Sequence, residues 1–210
     1  MEEEEERKTE MFESVLEKFE LYLDKMEQNN PPSFNMYLAI EVRKRLEQLN
    51  YLYRIIDEKH VRFMRLNWRE YRNMEALRKE FPYGRIVVKK SEDRLEMDTL
   101  LFEIETFTES FYYLAGRMRT ILKHESTPLP GLESFECRGA RNVRNHLLEH
   151  AEGRSSRVLM QSFGVGGEQG PTIKVEREEG QEEIFPDAGL EANAREIVQN
   201  LGKSLDRVLN

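Results

Sequence analysis

The chain has little of what disulfide-bonded, metal-binding and membrane-spanning proteins are built from. Its 210 residues include one cysteine, Cys137, so it forms no internal disulfide and offers no cysteine cluster to a structural metal. No uncharged apolar run approaches the roughly 18 residues that cross a bilayer. The five glutamates that follow Met1 are unlike a secretory or transit peptide. These absences predict a cytoplasmic protein with no membrane association.

The chain also lacks an excess of positive charge. Its 32 lysines and arginines stand against 40 aspartates and glutamates, which gives a net charge of -8. That balance excludes a protein that coats nucleic acid through its overall field. The charge is unevenly distributed, however, because residues 138–157 hold five arginines and only two glutamates. A local basic patch is therefore expected there.

Apolar residues recur at every third or fourth position through the first 123 residues, which is the spacing of amphipathic helices. One stripe starts at Met11 and should end at Pro31 and Pro32. The next stripe is too long for an ordinary globular helix, so a bend or a break is expected near residues 57–60. Ser91 is a candidate cap for the best-defined helix, whose apolar stripe continues to Leu122.

The carboxyl-terminal part has a different character. Two extended runs, Arg157 to Phe163 and Thr172 to Arg177, are separated by glycines, which predicts a β-hairpin, and helical spacing returns from Leu190. The sequence therefore predicts a mainly α fold, an antiparallel bundle of four to five helices with a small β-hairpin insertion near the carboxyl-terminus. The expected organisation is an acidic tail (1–10), a helical bundle that carries a motif helix (11–153), the hairpin (154–186) and a C-terminal helix packed on the bundle (187–210).

Histidine is scarce, yet two of the four histidines, His146 and His150, lie one helical turn apart within the basic segment. Guanidinium groups bind phosphate bidentately and stabilise charge that develops on its oxygens, whereas imidazole exchanges protons near neutral pH. RNA carries its own nucleophile in the 2′-hydroxyl. Arginine beside histidine on one helix therefore suits metal-independent chemistry on a phosphodiester.

Arg144, Asn145 and His150 resemble the motif of the HEPN superfamily, helical bundles whose ribonuclease members carry an arginine, commonly a polar residue after it, and a histidine beyond four to six intervening residues. Arg141 and His146 form an alternative pair. The resemblance implies a metal-independent endoribonuclease that needs no cofactor and cuts single-stranded RNA by 2′-hydroxyl attack. In it Arg144 would bind and polarise the phosphate, Asn145 would orient the phosphate or the histidine, and His150 would handle the proton.

The resemblance also implies partners. Members of the family usually pair as homodimers, and many act in a toxin, defence or RNA-processing setting with an antitoxin or nucleotidyltransferase partner. Arg138, Arg141 and Arg154 are expected to add phosphate or RNA contacts. Glu103, on the helix that starts near Ser91, is the candidate polar side chain facing the motif.

Other interpretations of the same residues stay open. The motif helix could belong to a non-catalytic helical protein-interaction or nucleotide-binding module. His150 could instead pack at a helix end while the arginines make surface ion pairs. The run from His146 to His150 also spells H-x-x-E-H, the signature of an inverted zinc hydrolase, although the neighbouring arginines would repel a cation.

A second basic stripe lies earlier in the chain and has aromatic residues within it. Its members are Arg62, Arg65, Arg69 and Arg72, with Phe63, Trp68 and Tyr71 between them. Positive charge together with aromatic rings suits an RNA strand. The helical spacing nevertheless favours a solvated face on which these arginines pair with glutamates of the same helix. Those glutamates are Glu58, Glu70 and Glu75.

Overall fold

A computed structural model of the chain describes residues 11–32, 34–81, 91–123, 129–151, 156–161, 172–177, 182–184 and 189–210, with only the backbone for 146–151 and for the strands. The predicted acidic tail, residues 1–10, lies outside the described residues. The described part contains five helices and three strands. They are α1 (Glu13–Asn29), α2 (Met36–Glu80), α3 (Glu92–Leu122), α4 (Arg138–Ala151), β1 (Ser156–Gln161), β2 (Thr172–Arg177), β3 (Glu182–Ile184) and α5 (Leu190–Leu209). The prediction of a mainly helical protein is confirmed.

The turn between α1 and α2 is set by local chemistry. Asn30 takes a left-handed conformation (φ 40°), and its N–H donates to the carbonyl of Met26 at 2.8 Å. Pro31 and Pro32 follow and prevent the helix from continuing. Asn35 caps the start of helix α2, since its Oδ1 accepts from the N–H of Leu38 at 3.2 Å. The break predicted at the two prolines is confirmed.

Helix α2 is the longest element, with 45 residues that span about 68 Å. It runs without interruption through residues 57–60, so the break expected there was wrong. That segment contains neither proline nor glycine, and nothing else in it removes a backbone hydrogen bond. Along this length α2 packs against a partner helix.

That partner is α3, which packs antiparallel against α2. Lys59 Nζ contacts Glu103 Oε2 at 2.6 Å. One turn further along α2, Arg62 Nε donates to Glu96 at 2.5 Å. Because the partner's number falls as the residue number on α2 rises, the two helices run in opposite directions.

The start of α3 lies beside the carboxyl-terminal half of α2, called its outer part below. Arg69 forms a two-pronged ion pair with Asp93, through its Nε and its Nη2. Ser91 caps α3 as predicted, since its Oγ accepts from the N–H of Arg94 at 3.1 Å. Two arginines of the α2 stripe, Arg62 and Arg69, therefore pair with acids of α3, and the pairing expected for them within their own helix was wrong.

The core is a single cluster of apolar side chains contributed by all five helices and the segment before α4. Aromatic rings are its largest fully buried members, namely Phe12, Phe19, Tyr22, Phe111, Tyr112 and Phe135. Burial of this kind contributes roughly 1.5 to 3 kcal/mol per large side chain. No helix among the described residues combines the length and the apolar character that a membrane span needs.

Helix α5 packs against α1 and α3. Lys18 of α1 pairs with Asp206 at 2.7 Å, and Lys25 Nζ donates to the carbonyl of Val208 at 2.6 Å. On the buried side, Asn193 Nδ2 donates to the hydroxyl of Tyr112 of α3 at 3.0 Å. Helix α5 is thereby bound to both α1 and α3.

The three strands form an antiparallel sheet in the order β1-β2-β3. The register of the first pair runs from Ser156 opposite Arg177 to Gln161 opposite Thr172. The second pair places Lys174 opposite Ile184. Residues 162–171, between β1 and β2, lie outside the described residues.

The segment that leads into α4 is tied to the last turn of α3 through Glu136. Arg119 Nε donates to the Glu136 carboxylate at 3.1 Å, and Lys123 Nζ contacts the same carboxylate. The backbone carbonyl of Glu136 accepts from Asn200 Nδ2 of α5 at 2.8 Å. One residue thereby fixes where α4 begins relative to two other helices.

The Glu136 carboxylate should make stability depend on acid pH. The bonds from Lys123 and Arg119 lower its pKa from 4.5 to about 2, so it favours folding wherever it is ionised in the folded chain. That contribution is present above about pH 4.5 and is lost as the pH falls toward about 2. Because the side chain is one-third exposed, we expect Glu136→Gln to lower the free energy of unfolding by about 1 to 2 kcal/mol at pH 7.

The measurement is urea denaturation of wild type and variant at a series of pH values. The difference between them should shrink toward zero by about pH 2. The matched control is Glu27→Gln, at an exposed glutamate of α1 with no ion pair among the described residues. A difference between wild type and Glu136→Gln that stayed constant with pH would contradict the assignment.

Candidate functional site

Helix α4 carries the motif and presents one polar side to solvent. Arg138, Arg141 and Asn145 are exposed, whereas Ala140 and Val143 are buried in the core. Arg144 lies at the boundary between these sides and is partly buried. The amphipathic pattern of the sequence therefore places three arginines of the basic patch, Arg138, Arg141 and Arg144, along the outer flank of one helix.

The amino-terminal end of α4 already holds a carboxylate. Glu196 of α5 accepts from the N–H of Arg138 at 2.8 Å and from the N–H of Gly139 at 3.0 Å. Gly139 permits this approach, because a Cβ built there would lie 1.9 Å from Oδ1 of Asn193. These N–H groups and the positive end of the helix dipole are thus used internally. A phosphate on α4 is therefore expected at its side chains and not at its amino-terminus.

Arg144 crosses α3 at Gly116. A Cβ built on Gly116 would lie 2.2 Å from Cδ of Arg144 and 2.8 Å from its Nε. The glycine is buried in the middle of a helix, where its cost in helix propensity is about 1 kcal/mol relative to alanine. Because residue 116 has no side chain, the side chain of Arg144 occupies the space where a Cβ would otherwise lie.

One N–H group of the Arg144 guanidinium makes no hydrogen bond to the described residues. Its Nε is buried and has no hydrogen-bond partner among the described residues. A buried donor without a partner is unfavourable by roughly 1 to 3 kcal/mol. Because this nitrogen is closed off from solvent, an external acceptor would have to bind the terminal nitrogens of the guanidinium. A fork of N–H donors that is partly desolvated is the group that binds a phosphate bidentately.

Acidic side chains near the start of α4 form no ion pair with its arginines among the described residues. Glu136 is bound by Arg119 and Lys123, and Glu196 accepts from backbone N–H groups at the start of α4. Arg138 and Arg141 are exposed and form no side-chain ion pair within the part of the chain that the structure describes.

The two histidines of the motif lie in the second half of α4, where the structure describes only the backbone. On a regular helix, positions 144 and 150 are separated by about 9 Å along the axis and by about 120° around it. The predicted roles of His146 and His150 concern side chains outside the described residues, and Arg154 lies outside them entirely. Of the predicted site residues, the structure brings Arg138, Arg141, Arg144 and Asn145 onto one helix.

The glutamate expected to face the motif is not Glu103. Its carboxylate pairs with Lys59 of α2, and it lies 13 residues from Gly116, about 20 Å along α3. On a helical wheel Glu105 and Glu109 lie on the side of α3 that carries Gly116, about 16 and 10 Å before it along the axis. Burial, and then the nearby charge of Glu109, raise the pKa of Glu105.

Nucleophilic thiol chemistry and a metal centre gain no support from the described side chains. Cys137 is buried, and burial is the largest cause that raises the pKa of its thiol to about 12, so the reactive thiolate is disfavoured. No group of three histidine, cysteine or carboxylate side chains among the described residues could hold a metal ion. The side chains of the H-x-x-E-H run lie outside that part.

Comparisons of the chain with protein-family models, with curated proteins and with solved structures find no match.

The contact between Gly116 and Arg144 should be measurable as an energetic coupling. We expect Gly202→Ala, at an α5 position with no atom within 4 Å of a new Cβ, to raise the free energy of unfolding by about 1 kcal/mol. Gly116→Ala should fail to do so, because its Cβ displaces Arg144. Adding Arg144→Ala should restore the gain at position 116. The measurement is a double-mutant cycle by urea denaturation.

Gly202→Ala is the matched control for helix propensity. If Gly116→Ala stabilised the protein as much as Gly202→Ala, with no coupling to Arg144→Ala, the side chain of Arg144 would not depend on the space above Gly116.

Proposed function

We propose that the protein is a HEPN-like metal-independent endoribonuclease that cuts single-stranded RNA at the flank of α4. The observation that carries this proposal is the guanidinium of Arg144, which is held over Gly116 with a buried Nε that has no partner among the described residues. An arginine fork of this kind is suited to a phosphodiester. Arg138 and Arg141, exposed on the same helix, supply further positive charge.

The proposed reaction uses the 2′-hydroxyl of the RNA as the nucleophile. A base removes its proton, the 2′-oxygen attacks phosphorus, and the bond from phosphorus to the 5′-oxygen breaks. The leaving oxygen takes a proton, and the products are a 2′,3′-cyclic phosphate and a 5′-hydroxyl. Arg144 binds the phosphate and stabilises the charge that grows on its oxygens. His150 exchanges the proton, and Asn145 orients the phosphate or the histidine.

We include a homodimer in the proposal. Positions 144 and 150 lie about 120° apart around the axis of α4, so one copy of the helix does not place both on one side. Two copies related by a two-fold axis would bring Arg144 of one subunit toward the partner subunit's His150. The alternative pair, Arg141 and His146, is about 140° apart, so the same consideration applies to it.

The cellular setting follows from the resemblance and not from the geometry. A toxin, defence or RNA-processing role, with an antitoxin or a nucleotidyltransferase as the neutralising partner, accompanies the proposed activity. A non-catalytic nucleotide-binding module would use the same arginines without the proton-transfer step. The two functions differ in whether bound RNA is cut.

The proposal is tested by RNA cleavage in the presence of a chelator. We expect Arg144→Ala to lower kcat/KM by about 10² to 10³, because it removes a donor to the transition-state oxyanion. His150→Ala should lower kcat by about 10² to 10⁴. Arg144→Lys should also be impaired, because lysine keeps the charge but loses the fork. The readout is the rate of cleavage of a labelled single-stranded RNA.

Two controls separate chemistry from folding. Arg207→Ala removes an exposed arginine from the last turn of α5 and should leave cleavage unchanged. Melting temperatures of the site variants should stay close to that of wild type. Equal cleavage by wild type, Arg144→Ala and His150→Ala would exclude the proposed site, whereas RNA binding without cleavage by wild type would support the non-catalytic module.

A further inference from the structure

The outer part of α2 has a solvent-facing surface that the proposed cleavage site does not use. We call it the arm face and define it by Arg65, Trp68, Tyr71 and Arg72. All four side chains are exposed. On a helical wheel Arg65, Trp68 and Arg72 lie on the side away from the buried Phe63, and Tyr71 lies on the flank between that side and the core. The arm face is therefore directed mainly toward solvent.

The four arginines of this stripe divide into two pairs with different surroundings. Arg62 and Arg69 bind Glu96 and Asp93 of α3 and join the two helices. Arg65 and Arg72 form no ion pair among the described residues. Their positions are seven residues, or about 10 Å, apart along α2. The first pair has a structural role, whereas the second pair has no ionic partner in the described part of the chain.

Two aromatic residues lie between Arg65 and Arg72 in the sequence. The rings of Trp68 and Tyr71 meet edge to face, with their centroids 6.0 Å apart and their planes at 84°. Each side chain is 58% exposed. Large aromatic side chains left in water are unfavourable for an isolated protein. The edge-to-face contact holds the indole in place while a large part of it stays open to solvent.

Two acidic side chains close to the arm face have described partners other than its arginines. Glu75 pairs with Lys79 at 3.1 Å. Glu70 lies toward α3, where it accepts from the hydroxyl of Ser91 at 3.2 Å. The charge of Arg65 and Arg72 is thus not cancelled by these neighbours, and the arm face combines positive charge with an exposed ring.

We propose that the arm face binds single-stranded RNA, with a base stacked on Trp68 and backbone phosphates contacted by Arg65 and Arg72. The inference rests on the proposed function, in that the strand bound here is the substrate cut at α4. Arginine flanking an exposed aromatic is the combination that binds single strands, since unpaired bases offer a free ring face. A duplex offers phosphates but keeps its bases stacked, and an acidic peptide offers charge without rings.

The chain provides its own reporter, because Trp68 is its single tryptophan. The experiment uses the full chain with His150→Ala, which prevents cleavage, in the presence of a chelator. A labelled single-stranded RNA of roughly 16 nucleotides is titrated, and tryptophan emission and the anisotropy of the label are recorded together. We expect emission to be quenched with the same midpoint as the anisotropy change, because a stacked base quenches the indole.

Variants test each part of the arm face. Arg65→Gln with Arg72→Gln should weaken binding at every salt concentration and reduce the slope of log K against log salt by about 1.4, which is two phosphate contacts on a single strand. Trp68→Leu should weaken binding roughly tenfold, and Trp68→Phe less, because phenylalanine retains a ring. The charge-matched control is Lys203→Gln with Arg207→Gln on α5, both exposed, which should change neither value.

The outcomes separate this inference from the proposed function, whose own test is cleavage by the unmodified chain. Quenching by RNA without cleavage would support the arm face as a binding surface and would contradict the ribonuclease. Cleavage with no quenching, or with binding unchanged in the arm variants, would overturn the arm face and leave the ribonuclease standing. Quenching by duplex RNA or by a polyglutamate peptide as strong as that by the single strand would also overturn the proposal.

Discussion

The antiparallel contact between α2 and α3 is the constraint on which the other elements depend. A helix of 45 residues is about 68 Å long. This is longer than the core of a compact domain. The first half of α2 packs against α1, and among the described elements its second half packs against α3, joined to it through ion pairs such as Arg62 with Glu96. The same contact leaves the outer surface of α2 in solvent and supplies, at the opposite end of α3, the surface on which α4 lies.

Two glycines determine how α4 meets its neighbours. Gly139 lets the start of the helix approach Asn193 and Glu196 of α5, and Gly116 lets Arg144 cross α3. Neither contact leaves room for a Cβ. The two glycines therefore allow α4 to lie close to α5 and to α3. Glu136 and Glu196 accept from other groups, and among the described residues neither forms an ion pair with an arginine of α4. The chain that carries these arginines has a net charge of -8.

The sequence was sufficient for features set by local chemistry and insufficient for those set by contacts between helices. The prolines after Asn30, the cap at Ser91 and the apolar stripes of α1 and α3 are local signals, and the structure confirms them. The continuity of α2 was missed because its length is supported by α3. The partners of Arg62 and Arg69 were missed because they lie 34 and 24 residues away on another helix, and the spacing of charges within α2 carries no information about them. The pairing of Glu103 with Lys59 depends on the packing of α2 against α3 in the same way. The roles of Arg144, Asn145 and His150 stay a prediction.

The central claim is that this chain cuts RNA with the strand's own 2′-hydroxyl as the nucleophile and with Arg144 at the phosphate. The most direct measurement is the chemical identity of the cleavage ends, by mass spectrometry of products formed in the presence of a chelator, from an all-ribose strand and from one with 2′-deoxyribose at the cut position. We expect 2′,3′-cyclic phosphate and 5′-hydroxyl ends from the first strand and no cut at that position in the second. Ends carrying a 5′-phosphate, or cleavage that persists at the deoxyribose, would contradict the account.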